Sequence, residues 1–283
     1  RFEKSRAQNS ERAVRLEYQS VYALGPLCGI NELSDIVEAA ALCDELGVDT
    51  VSMGATIAWA MESFERGILT VEHTGGLDLR FGNASAVFAC IKQTASKSSF
   101  GTLLAEGSLR AAQSLGHGSE SWAMQVKGLE MPGYDPRHHD GLSLGLAVSA
   151  RGACHNHAGL GLEDEMLLDN AKSYEDIEDT VDRGISRENR QALMDALGIC
   201  KFFHAAFDDL TQESFDLLSL IRGNGGSESE FVHLPERVAA IRRLTNLREG
   251  LVLEDDSLPR RFLDGLSDNL DREGFEKQRT RYY

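Results

Sequence analysis

Apolar residues recur at helical spacing along most of the chain. Leu33, Ile36, Val37, Ala40, Cys43 and Leu46 are spaced three or four apart. That spacing predicts an amphipathic helix opened by Asn31 and stopped by Gly47, with Val48 as the hydrophobe after the stop. The same reasoning predicts helices over Thr56 to Arg66, stopped by Gly67; over Ala84 to about Ser96; and over Thr102 to Leu115, stopped by Gly116. Leu142 to Ala150 is small and apolar, as in a buried helix with close backbone contacts. Arg187 to Leu197, Phe202 to Ile221 and Pro235 to Arg248 are also helical in pattern. The last carries Val238, Ile241, Leu244 and Leu247 on one face.

Between these lie the weaker signals. Residues 1–16 are polar and predict loop or short helix. Tyr18 to Ile30 is punctuated by Gly and Pro and predicts a loop, as does Leu129 to Asp140. Trp122 to Gly128 alternates as a short strand does. Glu163 to Asp182 holds nine acids and one base, Lys172, the pattern of a solvated segment. Gly223 to Ser227 is the best linker signal. Strand signals are few, and the fold class expected is mainly α.

One short pattern occurs twice at helix ends. Asp44-Glu45-Leu46-Gly47-Val48-Asp49 and Asp195-Ala196-Leu197-Gly198-Ile199-Cys200 both have the form Asp-x-Leu-Gly-(Val/Ile)-(Asp/Cys). A glycine and then a hydrophobe after a helix is the ordinary stop arrangement. However, an Asp near a helix C-terminus faces the negative end of the dipole, where a carboxylate is mildly unfavourable. A ligand with amide N–H donors would offset that, because one carboxylate accepts two parallel hydrogen bonds. Both readings, paired helix caps and a two-sided cradle, remain open on these residues alone.

Charge narrows the partners. The 283 residues carry a net charge of −16 and have a pI near 4.9. This argues against nucleic acid and anionic membranes, both of which need basic surfaces. No apolar run is long enough to span a bilayer. Cys28, Cys43, Cys90, Cys154 and Cys200 are odd in number and widely separated, which favours a reducing, cytoplasmic setting over a disulfide framework. No Met opens the chain, so it is expected to begin inside a longer protein or to be a processed product.

Several side chains suit catalysis or binding. His155, in Arg151-Gly152-Ala153-Cys154-His155-Asn156-His157, is a general acid/base candidate or a hydrogen-bonded loop histidine. Arg151 is a phosphate clamp or a surface ion pair. His138 and His139 belong to a solvated loop or a substrate rim. Glu230 and His233 are three apart, seldom a metal site by itself. Cys200 is a buried thiol or a metal ligand whose companions lie elsewhere.

Taken together, Tyr22 to Ile30, Asp44 to Ser52, Met124 to Pro132, Tyr134-Asp135-Pro136-Arg137, Arg151 to His155, Asp195 to Cys200 and Asn246 to Gly250 resemble, in order and spacing, the tungsten-containing aldehyde ferredoxin oxidoreductases. The resemblance runs over nearly the whole chain. It implies two helical domains, 1–123 and 124–283, that are the second and third domains of a protein about twice as long. An upstream domain or subunit would supply three of the cluster cysteines. The resemblance implies a tungsten (or molybdenum) bis-pterin and a [4Fe-4S] cluster. Asp44, Val48 and Asp49 match one pterin motif; Asp195, Ile199 and Lys201 match the other. Arg151 matches a pterin contact, Cys200 the fourth cluster ligand, and His155 the histidine beside the metal. The implied reaction oxidises a small aldehyde to a carboxylic acid and passes electrons to ferredoxin or another iron–sulfur acceptor. A homo-oligomer is compatible with it.

The chain also departs from that pattern. The family has Glu-Tyr-Glu where this sequence has Glu17-Tyr18-Gln19. The second Glu is the candidate base, and Gln19 cannot take a proton. A lysine expected two residues after the active-site histidine is His157. The histidine that helps bind an interface iron in some members has no counterpart near residues 83–92. Three functions follow: an aldehyde oxidase; an enzyme of the same fold that reduces an aromatic acyl thioester or a carboxylic acid; and a non-catalytic subunit holding no cofactor.

Overall fold

A computed structural model describes residues 3–4, 13–138, 140–157, 177–223, 226–264 and 272–283. The fold is mainly α. The chain divides into two compact units, Arg1–Asp135 with Leu258–Asp264, and Pro136–Ser257 with Gly265–Tyr283. The linker signal at Gly223 to Ser227 therefore falls inside the second unit.

In the first unit, strands β1 (Glu3–Lys4) and β2 (Ala13–Val14) pair antiparallel where the sequence pattern predicted loop or short helix. Helix α1 (Tyr18–Leu24) and a 3-10 turn (Pro26–Cys28) replace the loop expected over Tyr18 to Ile30. The reason is tertiary. Ala23 and Leu24 are fully buried, and α1 packs on α3 (Thr50–Glu65). The crossing is close at Gly54, where a Cβ would lie 2.3 Å from the Ala23 carbonyl oxygen. Helix α2 (Leu33–Leu46) follows its predicted course, opened by Glu32 rather than Asn31. Helix α3 begins six residues before the predicted start because Asp49 caps it, and its Met53, Ile57, Trp59 and Met61 enter the core.

Helix α4 (Ala84–Ala95) is capped by Asn83. The next predicted helix is two, α5 (Gly101–Leu104) and α6 (Gly107–Leu115), broken where Gly107 takes φ +77°. The strand signal resolves as a 3-10 turn (Ser119–Trp122) and a hairpin, β3 (Gln125–Val126) with β4 (Leu129–Glu130). The hairpin is clamped by the buried Glu130. Its Oε1 accepts from Ser108 N–H (2.8 Å) and the Ser108 hydroxyl (2.9 Å) on α6.

In the second unit a 3-10 turn (Pro136–His138) precedes α7 (Asp140–Val148). His139 lies outside the described residues, as do residues 158–176, most of the acidic stretch. Leu142, Leu144, Leu146 and Ala147 of α7 are buried, which is why its sequence is small and apolar. It packs on α8 (Ile177–Leu197) and α13 (Arg272–Tyr282). The helix expected over Phe202 to Ile221 is instead a 3-10 stretch (Lys201–Ala206) and α9 (Leu210–Arg222), the latter capped by Asp209. After α10 (Glu228–Val232) comes α11 (Leu234–Arg248). Its expected apolar face is largely outside: Ile241, Leu244 and Leu247 are 60%, 63% and 45% exposed. Helix α12 (Arg260–Leu263) belongs to the first unit, where Arg261 pairs with Glu62 at 2.6 Å.

Candidate functional site

The two repeated turns fold alike. In the first, Gly47 takes φ +70°; its N–H reaches the Asp44 carbonyl (3.4 Å) and the Val48 N–H reaches the Cys43 carbonyl (2.9 Å). In the second, Gly198 takes φ +69°; its N–H donates to the Asp195 carbonyl (3.2 Å) and the Ile199 N–H to the Met194 carbonyl (2.9 Å). Only glycine adopts that backbone region without steric cost, and the hydrophobe after it folds back onto its own helix. Val48 packs against the first core and Ile199 against the Leu193–Met194 cluster.

The last residue of each motif coincides too. Asp49 (φ −64°, ψ 128°) and Cys200 (φ −62°, ψ 132°) both open the next helical segment. Asp49 caps it, accepting from the Ser52 N–H at 2.8 Å. Cys200 makes no capping bond, and its thiol is exposed. The helix-stop reading is therefore correct for both copies. It leaves Asp44 exposed at one helix end and the Asp195 carboxylate partly open at the other.

Around Asp195 the second unit gathers charge. Asp195 Oδ2 accepts from Arg242 Nη2 (3.1 Å) and faces His157 Nε2 (3.2 Å), while Oδ1 accepts from Gln191 Nε2 (2.9 Å). The other His157 ring nitrogen, Nδ1, lies 2.9 Å from the Cys154 thiol, which is 5% exposed. Burial holds His157 below the ordinary histidine pKa; Arg151 and Arg242 push the same way, and Asp195 opposes them. A neutral imidazole then takes the thiol proton's hydrogen bond at Nδ1 and donates from Nε2 to Asp195. Lys201 donates to Asn156 Oδ1. A cleft of about 380 Å³ opens beside this network, lined by Arg151, His157, Glu188, Arg242 and Asn246 among others. His155 is half-buried in the adjoining turn. Arg151, His155, Asp195, Ile199, Cys200 and Lys201 all belong to the second unit, whereas Gln19, Asp44, Val48 and Asp49 belong to the first. His233 pairs with Glu236 at 3.0 Å rather than with Glu230.

In the first unit Gln19 and Tyr18 both bond to the backbone of Gly133. Gly133 N–H donates to Gln19 Oε1 at 2.7 Å. The Tyr18 hydroxyl donates to the Gly133 carbonyl at 2.6 Å, and the Tyr18 ring stacks on Tyr134 with centroids 5.4 Å apart. Gln19 Nε2 is buried without a hydrogen-bond partner among the described residues.

Sequence reasoning overlooked Cys154 and Arg242, and treated His157 only as a missing lysine. The Cys-x-x-His spacing at 154–157 was visible, but only the folded chain brings α8 and α11 to it. Among the described residues no three metal-ligating side chains cluster, and no helix is long and apolar enough to cross a membrane.

Residues 2–283 match the family described as aldehyde ferredoxin oxidoreductase, domains 2 and 3. The chain belongs to this family. The tungsten-containing aldehyde ferredoxin oxidoreductase of Pyrococcus furiosus is 39% identical over 259 residues, covering 88% of this chain and 41% of that protein. The Thermococcus kodakarensis enzyme of the same name is 38% identical over the same shares. A Pyrococcus furiosus aliphatic sulfonate oxidoreductase, WOR-like subunit, is 32% identical over 49% of the chain and 23% of its own length. In fold, the chain is similar to the active site complex BamBC of benzoyl coenzyme A reductase, with a TM-score of 0.79 and 16% identity over 98% of this chain and 47% of that one. The chain thus spans 41% of the length of its aldehyde ferredoxin oxidoreductase relatives, which are named as tungsten-containing enzymes. Domains 2 and 3 of this family are the mainly helical architecture seen here.

Proposed function

We propose that the chain is the helical, cofactor-holding part of a tungsten (or molybdenum) bis-pterin oxidoreductase that converts an aldehyde to a carboxylic acid. The observation that carries this reading is the identical fold of the two Asp-x-Leu-Gly turns within a family member. The donor set fits a pterin. Asp44 is exposed, Asp195 Oδ1 takes one donor among the described residues, and a carboxylate oxygen accepts more than one amide N–H. The exposed Cys200 thiol, at the position where its counterpart Asp49 is spent on a cap, suits the fourth ligand of a [4Fe-4S] cluster.

When bound, the pterin metal supplies the two-electron redox chemistry. The residues of the chain do the rest. Asp44 and Asp195 accept from the two pterins, with Asp49, Arg151 and Lys201 as further contacts and with Val48 and Ile199 packing the turns that present them. His155 takes up a proton at an imidazole nitrogen as water adds to the aldehyde carbon. Aldehyde and water yield carboxylate, three protons and two electrons; Cys200 would hold the cluster, which would supply one-electron transfer to ferredoxin. His157, kept neutral by burial, orients Asp195 instead of supplying a charge.

The test is a metal count and an aldehyde-dependent dye-reduction assay on protein purified from its native source. Tungsten or molybdenum together with carboxylate formation is expected. Absence of both metals overturns the reading. A second reading, reduction of an aromatic acyl thioester or a carboxylic acid, is favoured by Gln19 standing where the family has a carboxylate base. Activity on no aldehyde, with activity on such a thioester or acid, would replace the first reading with the second.

A further inference from the structure

Two neighbouring arginines on α11 each pair with an aspartate, and the two pairs differ in access. Arg243 pairs with Asp256, which is fully buried, and that pair ties the fold together. Arg242 reaches Asp195 Oδ2 at 3.1 Å, and these two side chains are 31% and 29% exposed. Arg242 also lines the cleft of about 380 Å³, with Arg151, His157 and Asn246. Packing accounts for a sealed pair; a pair that borders a cleft of this size is within reach of a ligand.

Asp195 is a carboxylate that needs holding. It lies in the last turn of α8, where the helix dipole disfavours negative charge. Three side chains bond to it: Gln191, His157 and Arg242. Gln191 brings no charge, and burial holds the His157 imidazole below the ordinary histidine pKa. The guanidinium of Arg242 is permanently charged. Its helix is fixed in turn, since one helical turn further on Asn246 Nδ2 donates to the Ala150 carbonyl at 2.6 Å, beside Arg151. The first motif has no such clamp. Asp44 is exposed and makes no side-chain hydrogen bond or ion pair among the described residues.

We propose that Arg242 is a positioning residue: it holds Asp195 so that the carboxylate meets a ligand with paired N–H donors at the adjoining cleft. This rests on the oxidoreductase reading above, in which that ligand is a pterin, and deepens it. Arg242 and His157 fix Oδ2, Gln191 takes one position on Oδ1, and the lone pairs left over accept from the ligand. The second turn is thus preorganised and the first is not. Ordering Asp195 costs the ligand little, whereas Asp44 must be ordered on binding.

The test follows the loss of pterin from the full-length native protein on dialysis, read from the fluorescence of the pterin released. Arg242→Ala should lose pterin about tenfold faster or more, the effect usual for an outer partner that orients a binding side chain. Guanidinium ion, added far below denaturing concentration, should restore retention, because the pair is open to solvent and the ion can take the vacant place. That rescue should vanish when Arg242→Ala is combined with Asp195→Asn; a loss of mere structural support would show no such dependence. Native retention in Arg242→Ala, a loss that guanidinium leaves unchanged, or a rescue that survives without Asp195 overturns the proposal and leaves the oxidoreductase reading standing. Should Arg242→Ala emerge empty, Arg242→Lys decides: a loaded variant sustains the proposal and an empty one overturns it. Absence of pterin from the native protein overturns the oxidoreductase reading and the proposal with it.

Discussion

Asp49 shows how one side chain serves two purposes. It caps α3 through the Ser52 N–H, and it stands in the first repeated motif, proposed above to hold a pterin. Asp49→Ala is expected to cost about 1 kcal/mol in urea unfolding, the usual worth of an N-cap. Asp49→Asn should restore that stability, since an amide oxygen also caps, while still lowering metal content if the carboxylate anchors a pterin. His157 carries a pH dependence of definite sign. Its pKa is lowered in the folded state, chiefly by burial, so between the folded and unfolded values the unfolded chain binds more protons. Its contribution is present above the ordinary histidine value and is lost as pH falls through and below it. Melting temperatures compared at neutral and mildly acidic pH should therefore drop, and His157→Gln should shrink the drop. An equal drop in the variant would assign it elsewhere.

Among the elements, the crossing of α1 and α3 positions Gln19. Gly54 lets the two backbones approach, and an added Cβ has no flexible side chain to push aside, only the Ala23 carbonyl. Gly54→Ala is expected to destabilise the first unit by roughly 1–3 kcal/mol, as overpacking does. A gain in stability, of the sort Ala confers on an unconstrained helix, would show the crossing to be loose. In the second unit the C-terminal end is tied by a buried acid. Asp256 is fully buried; it pairs with Arg243 at 2.7 Å and accepts from the Tyr283 hydroxyl at 2.8 Å, while Arg243 lies over the Tyr283 ring. Removing one partner of such a pair strands the other charge. Asp256→Ala should cost roughly 3 kcal/mol or more, measured by denaturant unfolding.

Across the whole molecule the charge of −16 opposes compaction. Salt screens that repulsion over about 10 Å at 0.1 M. Melting temperature should consequently rise as NaCl is raised from about 50 mM to about 500 mM. A fall would mean that attractive pairs, such as Arg261–Glu62 and Arg281–Asp182, outweigh the net repulsion.

The sequence by itself determined the helical class, the helix over Leu33 to Leu46, both glycine stops and the family, because periodicity and left-handed turns are local properties that few residue types satisfy. It misjudged Tyr18 to Ile30, where local Gly and Pro signals were overruled by burial of Ala23 and Leu24 against α3. It placed the apolar stripe of α11 on one face but not whether that face is covered, since periodicity records amphipathicity and not burial. Tertiary structure alone decided the candidate site's wiring. The Cys154–His157 turn, Asp195 and Arg242 lie on three separate segments, and Gln19 meets Gly133 across 114 positions. Spacing along a chain carries no record of such meetings. They exist because packed helices fix where side chains end, and because a polar atom buried there must either find a partner or wait for one.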